Sequence, residues 1–282
     1  MTIARSSLDT IVARVKTVPS LPEVVTQIAS ATQDPTADAK RITSLVVKDP
    51  AIAGKMLQMV NSVFYGLQEP VHDLGQAVSI LGFKTIRSIA LSIGVMNAFQ
   101  QQNACFNMKR FWTHSAVAAG VSRLIAQRAW VMEPEMAFIA GLMRSVGRAL
   151  LAQNAPEEMR AIIAVAQEYR LSFRDAAREV IRTDDAEIGA WLIGVWELEP
   201  LLARCLSDRY DLETASDPGP IALGLFCDHL CALKALRAPG DFDESTLDPE
   251  VWRHLGIDKT ALVELVSSVN DEVEAAKALL AA

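Results

Sequence analysis

The sequence predicts an all-α fold, and three observations predict it. Apolar residues recur three and four positions apart along nearly the whole chain, which places them on one face of a helix. Asp-Pro pairs, or a lone Asp or Ser, stand before many of these runs, as helix starts require. The chain has no stretch of alternating β-branched residues closed by hairpin turns, no β–α–β rhythm and no repeat of fixed period.

The elements follow in order. Leu8, Ile11, Val12 and Val15 share the face of a first helix. A second starts at Ser20-Leu21-Pro22-Glu23, where proline is tolerated because an N–H in the first turn has no helical partner anyway. Val24, Val25, Ile28 and Ala29 form its buried side, and Asp34-Pro35 breaks it. Ile42, Leu45 and Val46 mark a third helix. Asp49-Pro50 opens a fourth, with Ile52, Met56, Leu57 and Val60 facing the core. The pattern fails from Phe64 to Val71, where Gly66 and Pro70 indicate an ordered loop. Asp73 then caps a short helix, with Gln76 three residues on, and Gly82 ends it. Phe83 opens a strongly apolar helix that runs to Phe99.

The polar stretch from Gln100 to Asn103 sets a lobe boundary, so residues 1–103 are expected to form an N-terminal helical lobe. Residues 104–236 form a second lobe, with helical patterns over 108–129, 134–153 and 156–170. Ser172 caps a further helix to about Arg182, and Asp184 caps one that holds Trp191 and Trp196. Patterns over 199–210 and 220–236 continue the series. Residues 237–282 read as a C-terminal extension, with Asp248-Pro249 opening one helix and residues 260–280 forming the last.

Composition narrows the function. A net charge of -7 argues against a nucleic-acid binder, which needs a surplus of Lys and Arg to displace counterions from phosphates. No run of eighteen uninterrupted apolar residues suggests a membrane span, and the first residues lack the apolar core of a secretory signal. The cytosol is the expected compartment, with Cys105, Cys205, Cys227 and Cys231 reduced.

Catalytic motifs are scarce. The sequence has no G-x-S-x-G elbow, no P-loop and no H-E-x-x-H pair. Its histidines, His72, His114, His229 and His254, never stand at ligand spacing. Cys227 and Cys231 share a helix face compatible with a soft metal, but four-coordinate zinc needs further ligands that the sequence does not show, and they read as small core residues. Asp184, Asp185 and Glu187 form an acidic group of the kind a helix start attracts. Asn61, Ser62 and Tyr65 read as a turn-and-cap device.

One succession of motifs is more telling than any of these. Leu21-Pro22-Glu23-Val24, Asp49-Pro50-Ala51, Asn61-Ser62-Val63-Phe64-Tyr65-Gly66 and Ala77-Val78-Ser79-Ile80-Leu81-Gly82 come in that order. Phe111-Trp112, His114-Ser115, Ala137-Phe138-Ile139-Ala140-Gly141-Leu142 and Ala186-Glu187-Ile188-Gly189-Ala190-Trp191 follow. Over residues 18–236 this order resembles the HDOD family, the output-domain relatives of the HD phosphohydrolases. The resemblance implies an N-terminal helical lobe packed on a degenerate HD-like lobe. It also implies a regulatory, non-catalytic role in bacterial signalling, coupled to two-component or cyclic-dinucleotide pathways.

Set beside catalytic HD proteins, the first metal-binding histidine matches His114. The His-Asp pair falls at Arg144-Ser145, a later histidine at Asp185, a His-His pair at Asp208-Arg209, and the last aspartate at Asp228. A guanidinium in a ligand's place repels the ion: two unit charges about 4 Å apart at an effective dielectric near 20 interact by roughly 4 kcal/mol, and a divalent ion doubles that. No metal or cofactor is therefore expected. The candidate pocket comprises His114, Arg144, Arg148, Asp185, Asp208, Arg209 and Asp228. Its arginines either hold an anionic small ligand or pair with the neighbouring aspartates and stabilise the fold. No receiver, cyclase or DNA-binding module is recognisable, so a signalling protein partner acting in trans is expected. A residual metal-dependent phosphohydrolase and a non-enzymatic nucleotide sensor are the alternatives.

Overall fold

A computed structural model describes residues 7–13, 15, 18–99, 106–233, 238–240 and 247–281. Among these residues the regular elements are α-helices and one 3-10 turn. The N-terminal part comprises α1 (Ser7–Val12), α2 (Glu23–Ala31), α3 (Ala39–Val46), α4 (Pro50–Val60), the 3-10 turn Val63–Tyr65 and α5 (Leu74–Ala98). The expected caps form: Asp49 accepts from the N–H groups of Ala51 and Ile52, and Asp73 from that of Gln76. Each such cap is worth about 1 kcal/mol. Asn61 exchanges hydrogen bonds with the backbone of Val71 at 2.7 and 2.8 Å, so the loop after α4 is pinned as a turn-and-cap device.

Gly82 interrupts α5 with φ 78° and ψ 167°, a conformation that glycine reaches without strain, and the chain continues as helix on the far side. The two expected helices therefore join across a kink. By length and composition α5 could cross a membrane, but here it packs against α2, α3, α4 and α7 (Pro134–Met143) as a core helix.

The second part continues with α6 (Met108–Ala129), α7, α8 (Val146–Asn154), α9 (Pro156–Tyr169), α10 (Phe173–Ile181), α11 (Asp185–Val195), α12 (Pro200–Ser207) and α13 (Pro218–Leu233). Sequence periodicity predicts one helix over 134–153. The structure divides it at Arg144 and Ser145, where Ser145 leaves helical geometry (φ -116°, ψ 20°). Periodicity misses the break because α7 is apolar nearly all round and α8 is buried over most of its length, so a sharp turn between them leaves no mark on the pattern. The turn matters: it aims Arg144 at α13. The segment from Gln100 to Asn103, Cys105, and the end of the helix expected over 220–236 lie outside the described residues.

The parts meet at an aromatic junction. Phe99, just past α5, packs against Trp112 of α6 and Trp196 of α11's end, with ring centroids 6.4 and 6.2 Å apart. Trp196 also donates to the carbonyl of Pro19 at 2.7 Å, and α1 packs against α11. In the C-terminal extension, α14 (Pro249–Leu255), capped by Asp248, lies on α13, and α15 (Lys259–Ala281) runs along α6 and the 3-10 turn.

Candidate functional site

The turn between α7 and α8, the start of α11, the end of α12 and the middle of α13 converge beside His114, which is buried in the second turn of α6. Arg144 grips Asp228 of α13 through Nε at 2.8 Å and Nη2 at 2.7 Å. Gly224 makes this possible: a Cβ at that position would stand 2.2 Å from Arg144 Nη1. Gly224 and Asp228 are four residues apart on one face of α13, so the helix offers a notch and a carboxylate together.

The second centre is Asp185, which is fully buried at the first turn of α11. Its Oδ2 accepts from Arg148 Nε at 2.8 Å and lies 3.3 Å from Arg209 Nη1. Arg148 also donates to the carbonyl of Pro239 at 3.0 Å, and its guanidinium lies 4.3 Å from the centroid of Phe173. Arg209 also donates to the carbonyl of Arg144, which ties the two ion pairs into one network. Arg174 and Arg209 both lie over the ring of Tyr210, 4.3 and 4.6 Å from its centroid.

Burial alone would raise the pKa of Asp185, yet Arg148 and Arg209 outweigh it and hold the carboxyl below the usual range. Asp228 behaves likewise: burial works against its charge, and Arg144, then Arg209, prevail. Both carboxylates are thus ionised and engaged by guanidiniums.

Six of the seven residues singled out in the sequence converge here: His114, Arg144, Arg148, Asp185, Arg209 and Asp228. Asp208 does not join them. It is half-buried at the end of α12, where its carboxylate accepts from Ser207 Oγ at 2.6 Å. Its neighbour Arg209 alone turns inward, as successive residues leaving a helix point in different directions. In the acidic group, Asp184 caps α11 and Glu187 accepts from Thr183, as a helix start would have it. Asp185 departs from that role by entering the ion network.

Beside the network lies a cavity of about 590 Å³. His114, Arg148, Arg209 and Asp228 form its inner wall, and Arg174, Asp175, Asp211, Glu213, His229 and Asp248 are among the residues around its outer part. The sequence did not mark Arg174, Asp175, Asp211 or Glu213, nor Gly224, because no common spacing links them to the inner residues.

The donor set does not fit a divalent metal of the HD kind. Asp185 and Asp228 already accept from guanidiniums, and Arg144 sets its positive charge directly against Asp228. Cys227 and Cys231 are buried in α13; a hydrogen bond with Cys227, followed by burial, holds the Cys231 thiol well above its ordinary pKa, which disfavours the thiolate a metal needs.

The sequence model of the HDOD domain matches residues 18–212, more than half of the chain. The chain belongs to the HDOD family. The match stops short of Leu236, so α13 to α15 lie beyond it. An HDOD domain protein of unknown function from Geobacter sulfurreducens has the same fold, with a TM-score of 0.85 and 22% identity over 97% of each chain. A protein from Marinobacter aquaeolei VT8, provisionally named for signal transduction, superposes with a TM-score of 0.78 at 19% identity, covering 100% of this chain and 62% of that one. A protein from Shewanella amazonensis SB2B, provisionally named a phosphohydrolase, gives 0.76 at 22% identity over 95% of this chain and 97% of that one. An uncharacterized protein of Treponema pallidum (strain Nichols) is 23% identical over 194 residues; the match covers 67% of this chain and 37% of that relative's length. HDOD membership and these folds agree with the helical architecture described above.

Proposed function

We propose that this HDOD protein is a non-catalytic regulatory module of a bacterial signalling pathway, working in the cytoplasm by binding a protein partner or a small ligand. One observation carries the reading: Asp228, which falls at the last HD aspartate, and Asp185, which falls at a later HD histidine, are both held by arginines, Arg144 on the first and Arg148 and Arg209 on the second. Fixed cations at 2.7–3.3 Å from these carboxylates do the electrostatic work that a metal does in a hydrolase, without providing a Lewis acid or an activated water. The net charge of -7 turns the module away from nucleic acid. The name of the Marinobacter protein points to the same class of role.

The competing reading, a residual phosphohydrolase, takes its support from the name of the Shewanella protein. The two are separated by assaying phosphoesters and cyclic dinucleotides with Mn²⁺ or Mg²⁺, using the wild type, His114→Ala and Asp228→Ala. No turnover above background is expected in any of them. Metal-dependent turnover in the wild type that is lost in both variants would overturn the regulatory reading.

A further inference from the structure

The cavity has an unusual distribution of charge. On its inner wall Arg209 is only 3% exposed, and its Nε has no hydrogen-bond acceptor. Its contact with Asp185 is long, at 3.3 Å, and that carboxylate is shared with Arg148 at 2.8 Å. That Nε has almost no surface open to the cavity, so it is the positive charge of the guanidinium, only loosely met by Asp185, that favours a further acidic group.

The outer part has the opposite bias. Among the described residues of that part, Asp175, Asp211, Glu213 and Asp248 outnumber Arg174. Asp211 and Glu213 are exposed, and Asp211 is only loosely engaged, 3.7 Å from Arg174. An approaching polyanion meets this excess of negative charge first, whereas an amine is drawn to it. Leu225, Leu247 and Val251 supply apolar wall to the same cavity.

We propose that the cavity binds a small zwitterion, with a single acidic group at Arg209, an amine at Asp211 and Glu213, and a short apolar stretch against Leu225, Leu247 and Val251. The inference rests on the small-ligand branch of the regulatory reading and narrows it. Nucleotides and cyclic dinucleotides carry several negative charges and are disfavoured, so the site selects against the anions that an arginine-bearing pocket would first suggest.

Calorimetric titration of the full chain tests this with four probes: ε-aminocaproate, caproate, hexylamine and ATP. Binding of ε-aminocaproate is expected at concentrations up to about 10 mM, a range suited to so small a ligand. Caproate and hexylamine, each lacking one charged end, are expected to bind about ten-fold more weakly, the worth of one charge-assisted hydrogen bond. The double variant Asp211→Asn/Glu213→Gln alters exposed side chains that leave the fold intact. It should weaken ε-aminocaproate to the level of caproate and leave caproate unchanged. Arg209→Lys, checked for folding by circular dichroism, should weaken both acids and spare hexylamine.

The proposal is overturned if ε-aminocaproate does not bind, if caproate matches it, if the double variant leaves it unaffected, or if ATP binds more tightly. None of these outcomes touches the absence of turnover expected above, so the regulatory reading stands or falls separately.

Discussion

Asp185 illustrates what a buried charge does for this fold. It is fully buried, engages Arg148 and Arg209, and has a pKa held below its ordinary 3.8. A carboxyl whose folded pKa is depressed contributes stability at pH values above 3.8 and loses it as pH falls through the folded value. Asp228 follows the same sign. Asp185→Asn should therefore flatten the acid limb of a plot of melting temperature against pH. At neutral pH it should cost about 3–5 kcal/mol in urea unfolding, because two guanidiniums lose their buried partner. Glu272 of α15 has the opposite sign. Burial raises its pKa above 4.5, Arg123 only partly offsets this, and its Oε2 has no partner. Its stabilising contribution is complete below 4.5 and is lost as pH rises through the folded value. Glu272→Gln should stabilise the protein at neutral pH by about 1 kcal/mol, the rough cost of a buried unsatisfied group. A fall in urea midpoint would contradict this.

At the scale of elements, close approach between helices depends on glycines. A Cβ on Gly147 of α8 would lie 2.1 Å from the carbonyl oxygen of Asp185, and one on Gly189 of α11 would lie 2.7 Å from a methyl group of Leu206. Helices α8 and α11 therefore cross nearly backbone to backbone, which carries Arg148 to Asp185. Gly147→Ala must push against backbone and should cost about 1–3 kcal/mol. Gly224→Ala meets the guanidinium of Arg144 instead. Its cost should shrink when Arg144 is replaced by alanine, giving a double-mutant coupling of about 0.5–3 kcal/mol. Additive effects would mean that the notch does not serve the ion pair. The α7–α8 turn belongs to this scale too: no local pattern announces it, because Arg144 satisfies it through Asp228, eighty-four residues away.

Over the whole molecule, one apolar cluster runs from Ile11 and Val25 through Phe99 and Trp112 to Phe226 and Ala276. The N-terminal helices and the HD-like helices should then unfold together. Trp112 and Trp196 sit at the junction with Phe99, so their fluorescence should change at the same denaturant concentration as helical circular dichroism. Separated transitions would show two independent lobes. The helical class, most caps, the interruption at Gly82 and the HDOD resemblance were all legible in the amino-acid order, because helix periodicity and capping act over three or four residues and leave their mark locally. The candidate pocket was legible only through that resemblance, and Asp208 shows its limit: its side chain leaves the cluster that Arg209 joins. Only tertiary structure decided which carboxylate each arginine meets, that Gly224 makes room for Arg144, and that an acidic rim surrounds a buried guanidinium. Charge pairing is set by distance in space, and residues that lie many helices apart in the chain carry no shared spacing from which it could be read.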